Sequence, residues 1–328
     1  MLNGKRVLVT GAGGFIGSHL TERLAELGAD VTAMVHYNAL GDVGNLRFLK
    51  ADLADRVTFA YGNIEDSDYV RSVVEGQDIV FHLAALIAIP YSYVAPRSYV
   101  RANVEGTMNV LEAGRQLGTA RILHTSTSEV YGTAIHVPID EEHPLQGQSP
   151  YSASKIGADK IAESYYRSFK TPVVTVRPFN TFGPRQSARA FIPTIISQAL
   201  AREQVHLGSL DPERDMTFVS DTVEGFVAAA TAEGIEGETI NLGTGTAYSI
   251  GHFAERILKI IGADKQIKLD PARVRPRGSE VGRLISDNSK AARLMGWKPG
   301  VGVDEGLERA IAFVRDNLNL YRPQTYTV

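Results

Sequence analysis

Thr10-Gly11-Ala12-Gly13-Gly14-Phe15-Ile16-Gly17 follows the strand-like run Arg6-Val7-Leu8-Val9-Thr10 and opens an amphipathic helical pattern carrying Leu20, Leu24 and Leu27. Glycines at 11, 14 and 17 let the backbone turn tightly, approach a pyrophosphate and pack the helix on its strand, while free N–H groups at the helix start hold the anion. A glycine-rich turn alone can be purely structural. Between a clean strand and a helix, at the head of a βαβ run, it predicts a dinucleotide site.

Outward from that turn, short β-branched runs alternate with helical patterns: Val31-Thr32-Ala33-Met34-Val35, Val57-Thr58-Phe59, Ile79-Val80-Phe81, Arg121-Ile122-Leu123 and Val173-Val174-Thr175-Val176. Such alternation predicts an α/β fold with a Rossmann-type, doubly wound parallel sheet over residues 1–180. Beyond Asn180 the pattern changes. A helix over 192–203, a short strand at Val205-His206-Leu207, the run Thr239-Ile240-Asn241-Leu242 and a helix over 250–261 predict a smaller C-terminal α/β substrate lobe over 181–328. No Ser/Pro-rich linker separates the parts, so they are expected to pack together with chain crossovers.

The chain has 328 residues, 44% apolar, with 34 basic against 37 acidic residues and a net charge of −3. That balance supplies no electrostatic reason to expect nucleic acid or a membrane surface as partner. With no cysteine, disulfides and thiolate chemistry are unavailable, as suits a cytoplasmic protein. Met1 leads almost directly into the first strand, which leaves no room for a signal peptide. The apolar stretch 79–90 is interrupted by His82 and is shorter than the roughly 18 residues of a membrane helix, so it reads as a buried strand running into a loop.

Chemistry is concentrated in Ser126-Thr127-Ser128-Glu129-Val130-Tyr131-Gly132 and Tyr151-Ser152-Ala153-Ser154-Lys155. Tyr151 and Lys155, four apart, share one helix face. A free phenol has a pKa of about 10, and a neighbouring ammonium favours its charged form, so the pair reads as a tyrosinate base. Glu129 beside it supplies a second base, able to take a proton from carbon. At helical spacing a tyrosine and a lysine can also be a packed ring and a solvated amine; Glu129 can cap a helix, and Thr127 and Ser128 can be strand-end hydroxyls. The second strand ends in Val35-His36-Tyr37-Asn38, with neither the acid that selects NAD nor an arginine for a 2′-phosphate, and Asn63-Ile64 after the third strand is placed to touch an adenine or simply to make a turn.

The glycine pattern, His82-Leu83-Ala84-Ala85, Asn103-Val104-Glu105-Gly106-Thr107, the Tyr151/Lys155 pair and Arg177-Pro178-Phe179-Asn180 together resemble the extended short-chain dehydrogenase/reductase family across nearly the whole chain. The resemblance implies a nicotinamide cofactor, NAD by the lean of the related enzymes with NADP left open, and no metal. It implies that Gly11, Gly14, Phe15, Ile16, Gly17, His36, Asn63, Ile64, Leu83, Ala84, Ala85, Asn103, Thr125 and Phe179 surround that cofactor with Tyr151 and Lys155. It also implies a nucleoside diphosphate sugar in the second lobe, gripped by Asn180, Arg189, Arg214 and Arg277, with Arg185 and Arg275 as weaker candidates. Residues 99–117 and 151–169 would pair across a twofold axis as a homodimeric four-helix bundle.

Within the family, the Thr127-Ser128-Glu129 string resembles nucleotide-sugar 4,6-dehydratases, closest to the GDP-mannose form; the dTDP-glucose form has an aspartate where this chain has Ser128. The strings Asn180-Thr181-Phe182-Gly183-Pro184-Arg185-Gln186-Ser187-Ala188-Arg189 and Arg275-Pro276-Arg277-Gly278-Ser279-Glu280-Val281 are similar to N-acetylglucosamine nucleotide 4,6-dehydratases. UDP-glucuronate decarboxylases share nearly the same serine-rich string, whereas 4-epimerases usually lack the glutamate. The expected reaction is oxidation at carbon 4, water loss across carbons 5 and 6, and hydride return. Decarboxylation, 4-epimerisation and a catalytically silent nucleotide sensor stay open as alternatives.

Overall fold

The structure, a computed structural model, describes residues 2–274 and 276–325, with the Arg277 side chain outside that description. The first half runs β1 (Arg6–Thr10), α1 (Phe15–Glu26), β2 (Asp30–His36), β3 (Val57–Gly62), α2 (Ser67–Val74), β4 (Ile79–His82), α3 (Ile89–Val94), α4 (Pro96–Tyr99), α5 (Gly106–Leu117), β5 (Arg121–Thr125), α6 (Pro150–Phe169) and β6 (Val173–Pro178). The second runs β7 (Asn180–Phe182), α7 (Phe191–Ala201), β8 (Val205–Leu207), β9 (Glu213–Phe218), α8 (Val219–Thr231), β10 (Thr239–Leu242), β11 (Ala247–Ser249), α9 (Ile250–Ile261), β12 (Ile267–Leu269), β13 (Arg283–Leu284), α10 (Ser289–Met295) and α11 (Val303–Asp316).

Seven parallel strands pair in the order β10-β6-β5-β4-β1-β2-β3. Alternate side chains serve opposite faces, so Val7, Val9 and Phe81 join the core under α1, α7 and α8, while Leu8, Val80 and Ile122 join the core under α2, α5 and α6. With both faces covered, β4 and β6 are buried throughout, as a parallel sheet requires. Strand order reverses between β1 and β4, where Thr10 lies in register with His82. Their C-terminal loops diverge there, and the resulting crevice is where such sheets bind ligands.

Thr239–Leu242, read from sequence within the smaller lobe, pairs with β6 as the last strand of the large sheet. A four-residue β-branched run contains nothing that says which sheet it joins. The remaining late strands form a small sheet around β9, flanked by β11, β13 and β7, and a separate β8–β12 pair. Buried Asp215 of β9 ties these parts together: its carboxylate accepts from Thr244 N (2.8 Å), Thr244 Oγ1 (2.6 Å), Gly245 N (2.9 Å) and Ser286 N (3.1 Å). Trp297 is buried, its indole N–H donating to the Asp221 carbonyl at 2.9 Å.

Two helices position the site. α6 starts cleanly because Pro150 occupies its first turn and Ser149 and Ser152 form a reciprocal capping box. The helix expected over 99–117 is continuous from Pro96 but widens to a π turn over Val100–Glu105. Such widened turns arise where a side chain is pulled out of the regular ladder, and Asn103 sits in this one. Among the described residues no helix is long and apolar enough to cross a membrane.

Candidate active site

The crevice at the β1/β4 switch continues into a cavity of about 1450 Å³ that reaches β9, Ala272 to Val274, Pro276 and Glu280 of the second lobe. Cavities for one small ligand span roughly 300–1,000 Å³, so this one has room for two. Gly11 has φ +71°, and a Cβ there would lie 2.8 Å from Ala84 N and 2.9 Å from the Leu83 carbonyl carbon. A Cβ on Gly17 would lie 2.3 Å from the Gly11 oxygen. Gly14 caps α1 without any side-chain hydrogen bond, and the first turn holds no acid. The helix start is therefore open to an anion.

A buried chain of hydroxyls and imidazole closes the seam behind this turn. Thr107 Oγ1 donates to Asn103 O (2.6 Å), so His82 Nε2, 3.0 Å away, donates to Thr107. Burial, aided by His124 and Lys155, holds the His82 pKa well below 6.5. Its neutral Nδ1 then accepts from Thr10 Oγ1 (2.8 Å), which in turn accepts from Leu83 N and Ala84 N, both at 3.1 Å. The loop that lines the cavity is thus hung from the end of β1.

Phe15, Ile16, His36, Asn63, Ile64, Leu83, Ala84, Ala85, Thr125 and Phe179 all line the cavity, together with the glycine turn. Asn103 does not. Both ends of its amide are engaged, accepting from Leu86 N (2.8 Å) and donating to Leu86 O (3.0 Å) and Ser154 Oγ (2.9 Å), so it braces the lining loop against α6. Asn63 lines the cavity and also makes the local turn, accepting from Glu65 N at 3.1 Å. Asn38 shapes the loop after β2, accepting from Asp42 N (2.8 Å) and donating to Asp42 O (2.9 Å).

Tyr151, Lys155, Thr127 and Glu129 converge on one wall. Ser128 is buried beneath that wall and does not line it; in the short helical turn Ser128–Tyr131 only Glu129 stays partly exposed. Tyr151 stacks edge-on against Tyr99, ring centroids 6.2 Å apart. Burial pushes the Tyr151 phenol well above its usual value; a hydrogen bond with Thr127 opposes this and Glu129 adds to it. The expected lowering of that phenol by Lys155 is not what this arrangement does. The Lys155 ammonium instead donates to the Thr125 carbonyl at 2.6 Å, and burial pushes its own pKa down to about 8 against the pull of Asp159.

On the second-lobe side, Asn180, Arg189 and Arg214 line the cavity. Arg214 is buried and braced by Glu280 (3.2 Å) and the Glu213 carbonyl (3.0 Å). Arg189 lies near enough to Tyr99 to act on its phenol electrostatically. Arg185 is elsewhere, paired with Glu22 at 2.6 Å on α1, so it fastens the two halves and does not face ligand. Arg275 and the Arg277 side chain lie outside the described residues. Among the oxygens of cavity-lining residues, Thr125 Oγ1, Asn180 Oδ1 and Gln186 Oε1 are buried with no protein hydrogen-bond partner among the described residues, the first two being those expected at the site. Buried polar atoms are rarely left so, and these two suit ligand hydroxyl or amide donors.

Sequence reasoning did not single out Asp159, His124, Arg177, Tyr131 or Asn241, which form a buried polar cluster behind the wall. Asp159 falls four residues after Lys155, and that continued helix face was the available signal.

Residues 8–310 match the family model described as GDP-mannose 4,6 dehydratase. The chain is 33% identical to a UDP-glucose 4-epimerase of Mycolicibacterium smegmatis over 95% of its length and 99% of the relative's. It is 34% identical to a dTDP-glucose 4,6-dehydratase of an Actinoplanes species, covering 95% of this chain and 98% of that one. The solved dTDP-glucose 4,6-dehydratase of Streptomyces venezuelae with NAD bound superposes with a TM-score of 0.89 at 29% identity, over 98% of this chain and 100% of the other.

Alanine at a left-handed position costs about 1–2 kcal/mol, and at Gly11 the new methyl must also push the Leu83–Ala84 backbone out of the crevice. Gly11→Ala is therefore expected to weaken NAD binding at least about tenfold in isothermal titration calorimetry, since tenfold corresponds to only about 1.4 kcal/mol. Unchanged affinity would show that the glycine contact with the β4 loop is not part of the cofactor site.

Proposed function

The chain belongs to the GDP-mannose 4,6-dehydratase family of NAD-dependent epimerases and dehydratases within the extended short-chain dehydrogenase/reductases, and on that premise we propose that it converts a nucleoside diphosphate hexose to the 4-keto-6-deoxy sugar. The observation carrying this reading is that Glu129 shares a cavity wall with Thr127, Tyr151 and Lys155. A hydride-transfer site needs only the last three. The added carboxylate supports a step at carbon after oxidation.

The glycine turn, Asn63, Ile64, Leu83–Ala85, Thr125 and Lys155 would hold NAD, which when bound supplies a hydride acceptor that is restored by the end of the cycle and a positive charge beside the phenol. That charge offsets the burial that keeps Tyr151 protonated. Tyr151 then takes the proton of the sugar 4-hydroxyl as hydride leaves carbon 4, with Thr127 hydrogen-bonded to the phenol. The resulting ketone acidifies carbon 5, and Glu129 removes that proton. Ser128 is turned from the cavity, so Glu129 itself is the group placed to pass its proton to the departing 6-hydroxyl, which leaves as water. Hydride returns to carbon 6, carbon 5 takes a solvent proton, and Tyr151 gives its own back to solvent. Arg214, with Arg189 and Asn180, supplies the planar cationic and neutral donors that suit a diphosphate.

A 4-epimerase is the competing reading, carried by the mycolicibacterial relative. It uses the same oxidation at carbon 4 and leaves Glu129 without a role. A cytoplasmic location goes with either, since both dinucleotide and nucleotide sugar are charged metabolites that do not cross bilayers unaided.

The helix face carrying Val100, Val104 and Met108 is apolar and partly to largely exposed, as is Phe169 at the end of α6. Residues four apart share a helix face, and an apolar stripe of this kind supports pairing with a second copy through a four-helix bundle. Sedimentation at micromolar concentration is expected to report a dimer; a monomer alone would refute the pairing.

Glu129→Gln is expected to retain NAD and nucleotide-sugar binding while exchange of the carbon 5 proton with solvent falls by roughly two orders of magnitude or more, as loss of a general base does. Proton NMR in deuterated water reads this directly. Undiminished exchange would assign the base to another residue.

A further inference from the structure

Behind the catalytic wall lies a carboxylate that no step above employs. Asp159 is 5% exposed and accepts from four donors on two strands or their ends: His124 Nε2 (3.0 Å), Ser126 Oγ (2.7 Å), Arg177 Nε (3.2 Å) and Arg177 Nη2 (2.9 Å). Arg177 continues the cluster, donating through Nη1 to Tyr131 Oη (2.9 Å), with its guanidinium 5.0 Å from the centre of that ring. Tyr131 in turn donates to Asn241 Oδ1 (2.8 Å) on β10. Ser126 and Tyr131 bracket the segment that carries Thr127 and Glu129, and Asp159 lies one helical turn beyond Lys155 on α6. One carboxylate therefore fastens both ends of the Thr127–Glu129 segment to the helix that bears Tyr151 and Lys155.

Given Tyr151 and Lys155 as the hydride-transfer pair, we propose that Asp159 is a positioning residue whose buried carboxylate keeps Lys155 an ammonium and locks Thr127 and Glu129 in register with Tyr151. The charges facing Lys155 are few. From β4 and β5 come His82 and His124, each held below the usual imidazole range by burial and so neutral at pH 7. Arg177 on β6 is cationic; burial alone would lower its pKa, but Asp159 and Tyr131 raise it. On α6 itself stand Tyr151, kept protonated by burial, and Asp159. Burial would raise the Asp159 pKa, yet His124, Arg177 and Ser126 hold it at about 2. Among the described residues, Asp159 is the anion that acts against the burial of Lys155, whose proton affinity has already fallen to about 8. Removing a negative neighbour lowers a lysine pKa, and an opposite charge at this range is worth about one unit or more.

Lys155 lines the cavity, so small acylating reagents can reach it. Competitive acetylation read by mass spectrometry across neutral and alkaline pH gives its titration midpoint without requiring turnover. The midpoint is expected near 8 in the wild-type protein, and at least about one unit lower in Asp159→Asn. Asp159→Glu, which keeps the charge, should stay near the wild-type midpoint. If the single amide variant does not fold, Asp159→Asn with Arg177→Gln leaves no buried guanidinium unpaired; because it removes a cation with the anion, its midpoint is expected below the wild-type value by less than in the single variant. The alkaline limb of the kcat profile should move with the midpoint, a shift that loss of fold stability alone would not produce. An unmoved midpoint in a folded amide variant overturns the proposal. A moved midpoint in a protein that turns over no nucleotide sugar upholds this role for Asp159 and contradicts the functional reading instead.

Discussion

Gly11 packs so closely on the Leu83–Ala84 backbone that no side chain fits between them, and Thr10 and His82 hydrogen-bond beside that contact. This seam sets where the two halves of the parallel sheet part. On one side the glycine turn opens α1, and on the other the loop after β4 passes to Asn103 and from there to Ser154 on α6. The glycine turn and the helix bearing Tyr151 and Lys155 are therefore referenced to one point. A displacement at the seam would be passed along hydrogen bonds to the helix of Tyr151 and Lys155.

Burial decides the proton affinities of those residues. Removing Tyr151 and Lys155 from water disfavours the charged form of each, which raises the phenol and lowers the amine. Under the proposed chemistry, the positive charge of bound NAD would favour the tyrosinate against that burial. Breaking a buried charge pair by removing one partner typically costs about 3–5 kcal/mol. The Asp159–Arg177 pair behind the wall therefore bears on stability as well as on the electrostatics of Lys155.

The parallel sheet, the glycine turn and the Tyr151/Lys155 helix face were legible in the sequence because each rests on local periodicity or a short fixed spacing. Most residues expected around the cofactor do line the cavity, since they sit at the ends of strands whose register follows from the fold. What failed depended on side-chain direction or on long-range pairing. Asn103 and Arg185 carry the right groups but spend them on Leu86 and Ser154 in one case and Glu22 in the other. Ser128 lies one residue from two cavity-lining side chains and faces the opposite way. Thr239–Leu242 chose its sheet by packing that no four-residue string encodes. The Asp159 cluster joins residues up to 110 positions apart, beyond the reach of any motif.

In the proposed reaction, hydride taken from carbon 4 is returned to carbon 6 of the same sugar after Glu129 has allowed water to leave. A nucleotide hexose deuterated at carbon 4, turned over in ordinary water and followed by NMR, tests this most directly. The expected product has lost one water, carries the deuterium at carbon 6 and has acquired a solvent proton at carbon 5. Deuterium found again at carbon 4 in a sugar of unchanged composition would contradict the elimination and identify a 4-epimerase.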